Sequence, residues 1–394
     1  MPLLLIYGAT LLLAVLVSEW SRRTVLSSAV LFLAIGFAVG PAGLSFVGVS
    51  PGEPLVSGLT DLALVSILFS DGMKLDFVEL RERWHLPVRA LLLAMPATAL
   101  VTALGSVLLF HLSWAEALLL GAMLSPTDPV FAAAIVGRED VPARVRHLLN
   151  IESGVNDGLA LPFVLGLAAI AGGDPASVHT LVLQPFGGLA CGGGIAVVAG
   201  FVRRSSIFRV AAAGEPIYPL AVAIVTFATA SLIDVNEYLA AFAAGATLGA
   251  LSPASRGEYH DVGERLSELL KLAAVLVIAI TLSTVSLPGW RVPAFAVFML
   301  LVPRTVPLLL ALVRTPLSMP ERLVAAWFGP RGFASLLYAL IVLGSGAPHR
   351  ELLFQIVTAT VLLSIVLHSS TDVPIAHRLA ASQTGDEPAS PVNG

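Results

Sequence analysis

The sequence predicts an all-α integral membrane protein of thirteen transmembrane helices, built as two inverted six-helix repeats whose broken helices cross at the bilayer midplane. Three observations carry that prediction. Apolar residues make up 57% of the 394 and charged residues only 12%, about half the ~25% charge of a soluble domain. The charges collect in short clusters between apolar runs of about 20 residues, the length that spans ~30 Å of hydrocarbon. Two of those runs are interrupted near their middle by Pro and polar residues, as in membrane folds assembled from repeats.

Span 1 (3–18) lacks a basic segment ahead of it and a small-residue cleavage site behind it, so it reads as a first transmembrane helix rather than a signal peptide. Span 2 (24–41) contains Gly36 and Gly40, a small-residue pair that lets helices approach closely. Span 3 (57–76) ends in LFSDGMKLDF, with Asp71 near its cytoplasmic end, and span 4 (87–111) is almost wholly apolar. Span 5 (115–136) is broken by LSPTDPVF, Leu124 to Phe131, and span 6 (145–172) holds NIESGVNDGLALPF, Asn150 to Phe163. Span 7 (180–202) separates the halves; span 8 (215–233) and span 9 (236–252) follow, the latter with Gly245 and Gly249. Span 10 (269–287), span 11 (291–313) with Arg304, span 12 (319–346) broken by WFGPRGFAS, and span 13 (351–371) complete the set. The polar, Pro-containing tail from Pro374 to Gly394 is expected to be disordered.

Basic residues test this count, because correctly placed spans sort them into alternate loops. Arg291 and Arg350 fall on one side, Arg304 and Arg331 fall inside spans, and every other Lys and Arg falls on the opposite side. That basic side is cytoplasmic, which puts the N-terminus outside and the C-terminus inside. Pro126 and Pro330 lie 204 residues apart and the Gly36/Gly40 and Gly245/Gly249 pairs 209 apart, seven spans in each case. An odd number of spans inverts the topology, so spans 1–6 and 8–13 are expected to be inverted repeats. The plainer explanation is that Gly and Pro are common in membrane helices.

Several functions are excluded. A net charge of −4 offers no nucleic-acid surface. One cysteine, Cys191, allows neither a disulfide framework nor a Cys-based metal site, and the eight histidines show no HxxxH spacing. His111, His179 and His349 fall at outer span ends and are expected to be interfacial.

The informative residues are the polar ones at half depth: Asp157, Arg304, Asp128 and Arg331. Each costs roughly 2.5–3.5 kcal/mol at the bilayer centre, which pairing, water or ion binding has to offset. On a helix, Glu152 and Asn156 share one face while Ser153 and Asp157 share the next. Asp128 before Pro129 is an N-cap and N1 pair, so it either starts the second half of a broken helix or lines a site there. Glu152 and Arg304 suit a buried structural ion pair. Arg331, between Pro330 and Gly332, suits compensation of a negative helix end. Asp157 has nothing in its own helix to neutralise it, which favours a functional carboxylate. Asp71 is either a solvated helix end or the acidic lining of an entry funnel.

These residues resemble the motifs of the monovalent cation/proton antiporter family, on its sodium/proton exchanger (NhaP-like) branch. The matches are SPTDPV at Ser125 to Val130, the Glu-Ser-x-x-Asn-Asp signature at Glu152, Ser153, Asn156 and Asp157, the intramembrane Arg304, and Gly-x-Arg-Gly at Gly329 to Gly332. The resemblance implies exchange of a monovalent cation (sodium first, also lithium or potassium) for protons, with no cofactor and no enzymatic activity. Asp157 would bind cation or proton competitively, with Ser153 and Thr127 as further cation ligands and Asn156 beside them. Glu152 and Arg304 would be the family's structural pair, and Asp71 the nearest match to a third-span acid that is more often Glu. It further implies a homodimer in lipid, in which residues 1–86 and 215–289 form the dimerisation scaffold and 87–172 and 290–373 a moving core. Residues 173–214 would link them, with 374–394 as a short cytoplasmic tail. Because Asn156 stands where a second acid would be, one proton per cation and electroneutral transport are implied. A bacterial inner or plasma membrane is the expected location. A channel would need a continuous pore, and no selectivity-filter repeat is visible. An intramembrane protease would need paired Asp motifs or a base near Ser153, and neither is present.

Overall fold

The computed structural model describes residues 2–18, 28–49, 53–75, 77, 81, 84–128, 141–173, 183–205, 214–215, 217–283 and 289–384. Among them the regular structure is all helical, in fourteen helices. They are α1 (Pro2–Leu16), α2 (Ser28–Val39), α3 (Pro54–Lys74), α4 (His85–Phe110), α5 (Trp114–Leu124), α6 (Ala143–Ala171) and α7 (Gln184–Arg204). The second half holds α8 (Ile217–Leu232), α9 (Glu237–Leu251), α10 (Pro253–Leu282), α11 (Arg291–Ala311), α12 (Met319–Trp327), α13 (Phe333–Leu343) and α14 (Arg350–Thr384). Six of these are long and apolar enough to cross a membrane: α3, α4, α6, α7, α11 and α14 over its first 19 residues. Leu92, Leu93, Leu100 and Leu108 on α4 and Phe186, Val198 and Phe201 on α7 stay exposed, as apolar side chains do when lipid is the solvent.

The break expected in the twelfth span is present, α12 ending at Trp327 and α13 starting at Phe333 with Pro330 and its neighbouring glycines between them. Two other expectations need correction. Helix α10 starts at Pro253, well ahead of the predicted 269. Its first half is charged and amphipathic, so a hydropathy reading ignores it. Likewise α14 continues to Thr384, so residues 374–384 are helical where a disordered tail was expected. The second half of the broken fifth span, from Pro129 on, lies outside the described residues, as do His179 and residues 385–394.

Prolines set the other irregularities. Helix α4 passes through a π-turn at Ala90–Ala94 just before Pro96, whose missing N–H frees a carbonyl in the preceding turn. Helix α11 is interrupted at residues 302–304 by Pro303, which leaves Arg304 on the break rather than within a continuous helix. Both halves of the chain start their broken helix with the same device. Ser113 and Glu116 form a capping box at α5, and Ser318 and Glu321 form another at α12, each satisfying N–H groups that the first turn leaves open.

Small residues bring the central helices into backbone contact. A Cβ on Gly36 of α2 would lie 2.8 Å from the Leu276 carbonyl oxygen of α10, and one on Gly245 of α9 would lie 2.2 Å from that of Phe69 on α3. Nothing but hydrogen fits there, so packing between backbones holds these crossings. The pairings α2 with α10 and α9 with α3 match across the two halves, and the Ser66 and Ser267 hydroxyls join α3 to α10 at 2.8 Å. Phe242 of α9 sits between the two helices that carry the main acids. Its carbonyl oxygen would be 2.4 Å from a Cβ on Gly72 of α3, and its ring 3.2 Å from one on Gly158 of α6.

Candidate functional site

The end of α5 and the break between α12 and α13 neutralise each other. At the end of α5 the last carbonyls have no intrahelical donor. The Arg331 guanidinium, only 1% exposed, supplies one: Nη1 donates to the Ser125 oxygen at 2.8 Å and the Pro126 oxygen at 3.2 Å. In return the N–H of Phe333, at the start of α13, donates to Asp128 Oδ2 at 3.2 Å, and the Asp128 N–H donates to the Pro330 carbonyl at 2.9 Å. Positive charge thus sits at a helix C-terminus and negative charge at an N-terminus, the favourable sense for each dipole. Asp128 was expected either to start the helix beyond Pro129, which lies outside the described residues, or to line a site there; its carboxylate accepts from the start of α13 and lines the cavity.

Helix α14 secures the same break from behind. The Arg331 N–H donates to Ser364 Oγ at 2.8 Å, and His368 Nε2 lies 3.0 Å from the Trp327 carbonyl at the end of α12. His368 Nδ1 lies against Ser364, 3.1 Å from the hydroxyl and 2.8 Å from the carbonyl.

Helix α6 carries the Glu-Ser-x-x-Asn-Asp residues, and the structure separates them. Glu152 meets Arg304 in a buried two-point ion pair, Nη1 to Oε1 at 2.6 Å and Nη2 to Oε2 at 3.1 Å. Asn156 Nδ2 donates to the Thr127 hydroxyl at 2.8 Å and to its carbonyl at 3.3 Å, tying α6 to the broken segment. Ser153 commits its hydroxyl proton to its own helix, at 2.8 Å from the Leu149 oxygen. Its oxygen lone pairs stay available. The Tyr338 hydroxyl donates to the Asp157 backbone oxygen at 2.7 Å, and Pro162 one turn on removes the N–H that would bond the Gly158 carbonyl.

The Asp157 carboxylate, in a residue 8% exposed, makes no hydrogen bond or ion pair with any described residue. It lines a cavity of about 700 Å³ together with Asp71, Asp128, Lys74, Lys271 and Glu264. Lys74 and Glu264, 3.0 Å apart and each more than two-fifths exposed, stand at the outer end of this space. Asp71 therefore faces the same cavity as Asp157, 3.7 Å from Lys74. Ser153, Thr127 and Asn156 are buried beside it without lining it. Among the described residues, no three acids or histidines converge as a metal cage.

Sequence reasoning missed Lys271, assigned to the cytoplasmic side and found 8% exposed in the cavity wall, its ammonium 4.7 Å from the Phe333 ring. The signal was there: Glu264, Glu268 and Lys271 are spaced to share one helix face. Tyr338, Ser364 and His368 were missed too, because single polar residues in apolar spans carry no spacing signal. His349, expected at an interface, is 2.7 Å from Glu116.

A family model described as "Sodium/hydrogen exchanger, transmembrane" matches residues 8–378. The K(+)/H(+) antiporter NhaP of Alkalimonas amylolytica is 26% identical over 95% of this chain and 66% of its own length. A probable Na(+)/H(+) antiporter of Schizosaccharomyces pombe is 27% identical over 89% of this chain and 52% of its own. The chain thus spans about two thirds or less of the length of these curated relatives. Among solved structures, the sodium proton antiporter MjNhaP1 from Methanocaldococcus jannaschii superposes with a TM-score of 0.78 at 18% identity, covering 96% of this chain and 100% of that one.

Proposed function

The chain belongs to the sodium/hydrogen exchanger family, matched over residues 8–378, and from that premise we propose that it exchanges a monovalent cation for a proton by competition at Asp157. The observation that carries this reading is the Asp157 carboxylate itself: buried, facing a cavity, and in no hydrogen bond or ion pair with a described residue. A lone carboxylate in a low-dielectric site is costly while charged and cheap once it holds a proton or a dehydrated cation. It holds one or the other. The cavity lies between α3 and α10 on one side and α6 and α13 on the other, the groups assigned to a dimerisation scaffold and a moving core. Movement of the core past the scaffold when Asp157 is neutral, and not when it is charged, couples the two fluxes.

Thr127 and Ser153 are the further oxygen ligands in this reading, brought to Asp157 when the cation enters. Asn156 holds Thr127 in place, and Asp71 and Asp128 draw cations into the cavity. Glu152 with Arg304, and Arg331 on the α5 carbonyls, are structural. Asn156 adds no titratable group beside Asp157, so transport is one proton per cation and electroneutral. Sodium is the first candidate, with lithium or potassium as the alternatives, and potassium stands in the names of several relatives. Thirteen spans in two inverted repeats, a homodimer in lipid and a cytoplasmic C-terminus belong to the same proposal. The paired capping boxes and the matched α2–α10 and α9–α3 crossings support the repeat.

The test is cation-driven proton flux in proteoliposomes, with sodium, lithium and potassium in turn and with and without an imposed potential. Asp157→Asn is expected to abolish exchange while melting like the unaltered protein in detergent. Exchange retained by that variant would remove Asp157 from the mechanism.

A further inference from the structure

Lys271 has no part in the exchange just described, yet it is the one long cationic side chain buried in the wall of the cavity among the described residues. Its surroundings are unusual for a structural lysine. The ion pair with Glu268 is long, 3.9 Å, and the Glu268 side chain is 45% exposed, where screening by water leaves little attraction. Its firmest contact is the Phe333 ring, 4.7 Å from the ammonium, an interaction that holds a cation without neutralising it. Phe333 is also the residue whose N–H donates to Asp128. Its full charge therefore faces a cavity that holds the carboxylates of Asp71, Asp128 and Asp157.

The buried carboxylates of Asp128 and Asp157, with the half-buried Asp71 carboxylate beside Lys74, line one space and together favour any entering cation so strongly that its release is slowed. A transporter, unlike a storage site, has to let its ion go. We propose that Lys271 tunes the cation affinity of this site: a tethered ammonium that offsets the carboxylates when no ion is bound and that the transported cation has to outcompete. It sets the working affinity for the cation. This inference rests on the reading of Asp157 as the ion-binding group.

The test compares Lys271→Met, Lys271→Gln and Lys271→Arg with the unaltered protein at a fixed alkaline pH, where protons compete least. Removing the charge is expected to lower the KM for the cation about fivefold or more, the size of effect one unit charge exerts across a partly buried cavity. Arginine keeps the charge and the ring contact and is expected to restore KM to within about twofold. If Lys271 were only a latch between α10 and α13, Met and Gln would change maximal rate and melting temperature and leave KM alone, which would overturn the proposal. So would an arginine variant that behaves like glutamine. Cation-induced thermal stabilisation in detergent reads the same affinity without transport. A midpoint that moves to lower cation concentration in Lys271→Gln, in a protein that shows no exchange, would uphold the role of Lys271 and reject the exchange reading. A midpoint that does not move would reject the role itself.

Discussion

Gly332→Ala puts the contact between the end of α5 and the α12–α13 break to a steric test with little else in it. Gly332 has φ −123° and ψ −162°, extended backbone open to any residue, so alanine brings no conformational cost. What it brings is a methyl group 2.0 Å from Asp128 Cβ and 2.5 Å from its Oδ2. Carbon atoms rest at about 3.5–4.0 Å, so Asp128 has to retreat by roughly 1.5 Å. The retreat breaks its bond from the Phe333 N–H at 3.2 Å and that from its own N–H to the Pro330 carbonyl at 2.9 Å. Each buried group left unsatisfied costs about 1–3 kcal/mol, for a total of roughly 2–6 kcal/mol. Thermal unfolding in detergent is expected to shift down by about 5–10 °C, and exchange in proteoliposomes to be lost. Gly194→Ala in α7, with nothing described within 4 Å of the new methyl group, is the control and is expected to match the parent. A Gly332→Ala protein with parental melting and flux would refute this contact geometry.

Breaking the Glu152–Arg304 pair from one side, with Glu152→Ala or Arg304→Ala, is expected to cost about 3–5 kcal/mol, because a buried charge is left alone. The reversed pair, Glu152→Arg with Arg304→Glu, is expected to recover part of the melting temperature and part of the flux; no recovery would argue that one of the two takes part directly. His368→Ala removes the ring that contacts the Trp327 carbonyl and is expected to cost about 1–3 kcal/mol in thermal stability. His368→Gln, which offers an N–H at the Nε2 position, is expected to retain most of it, and equal losses in the two would show that this contact is not what holds the end of α12.

The sequence made the membrane architecture legible because the bilayer imposes length and apolarity on any helix that crosses it, and α3, α4, α6 and α7 begin and end within a few residues of expectation. The same rule is blind outside the bilayer, so the charged start of α10 and the continuation of α14 were invisible to it. Glu152 and Arg304 could be paired from sequence because a buried charge demands a partner and few candidates existed. Asp128 could not be placed, since spacing says which residue can cap its own helix and nothing about a helix start some 205 residues away. Lys271 could not be placed in the cavity wall because counting charges by side says nothing about which way a side chain turns.

Phe242 has a mechanical consequence. It touches the residue after each main acid, Gly72 beyond Asp71 by its carbonyl and Gly158 beyond Asp157 by its ring. The first contact is backbone on backbone and works as a weld, with no side chain to yield. The second is a flat aromatic face against a residue with no side chain to catch, and works as a plain bearing. Any travel of α6 past α9 therefore glides along one ring while α3 stays clamped to the same residue. A methyl group at position 158 would be a doorstop.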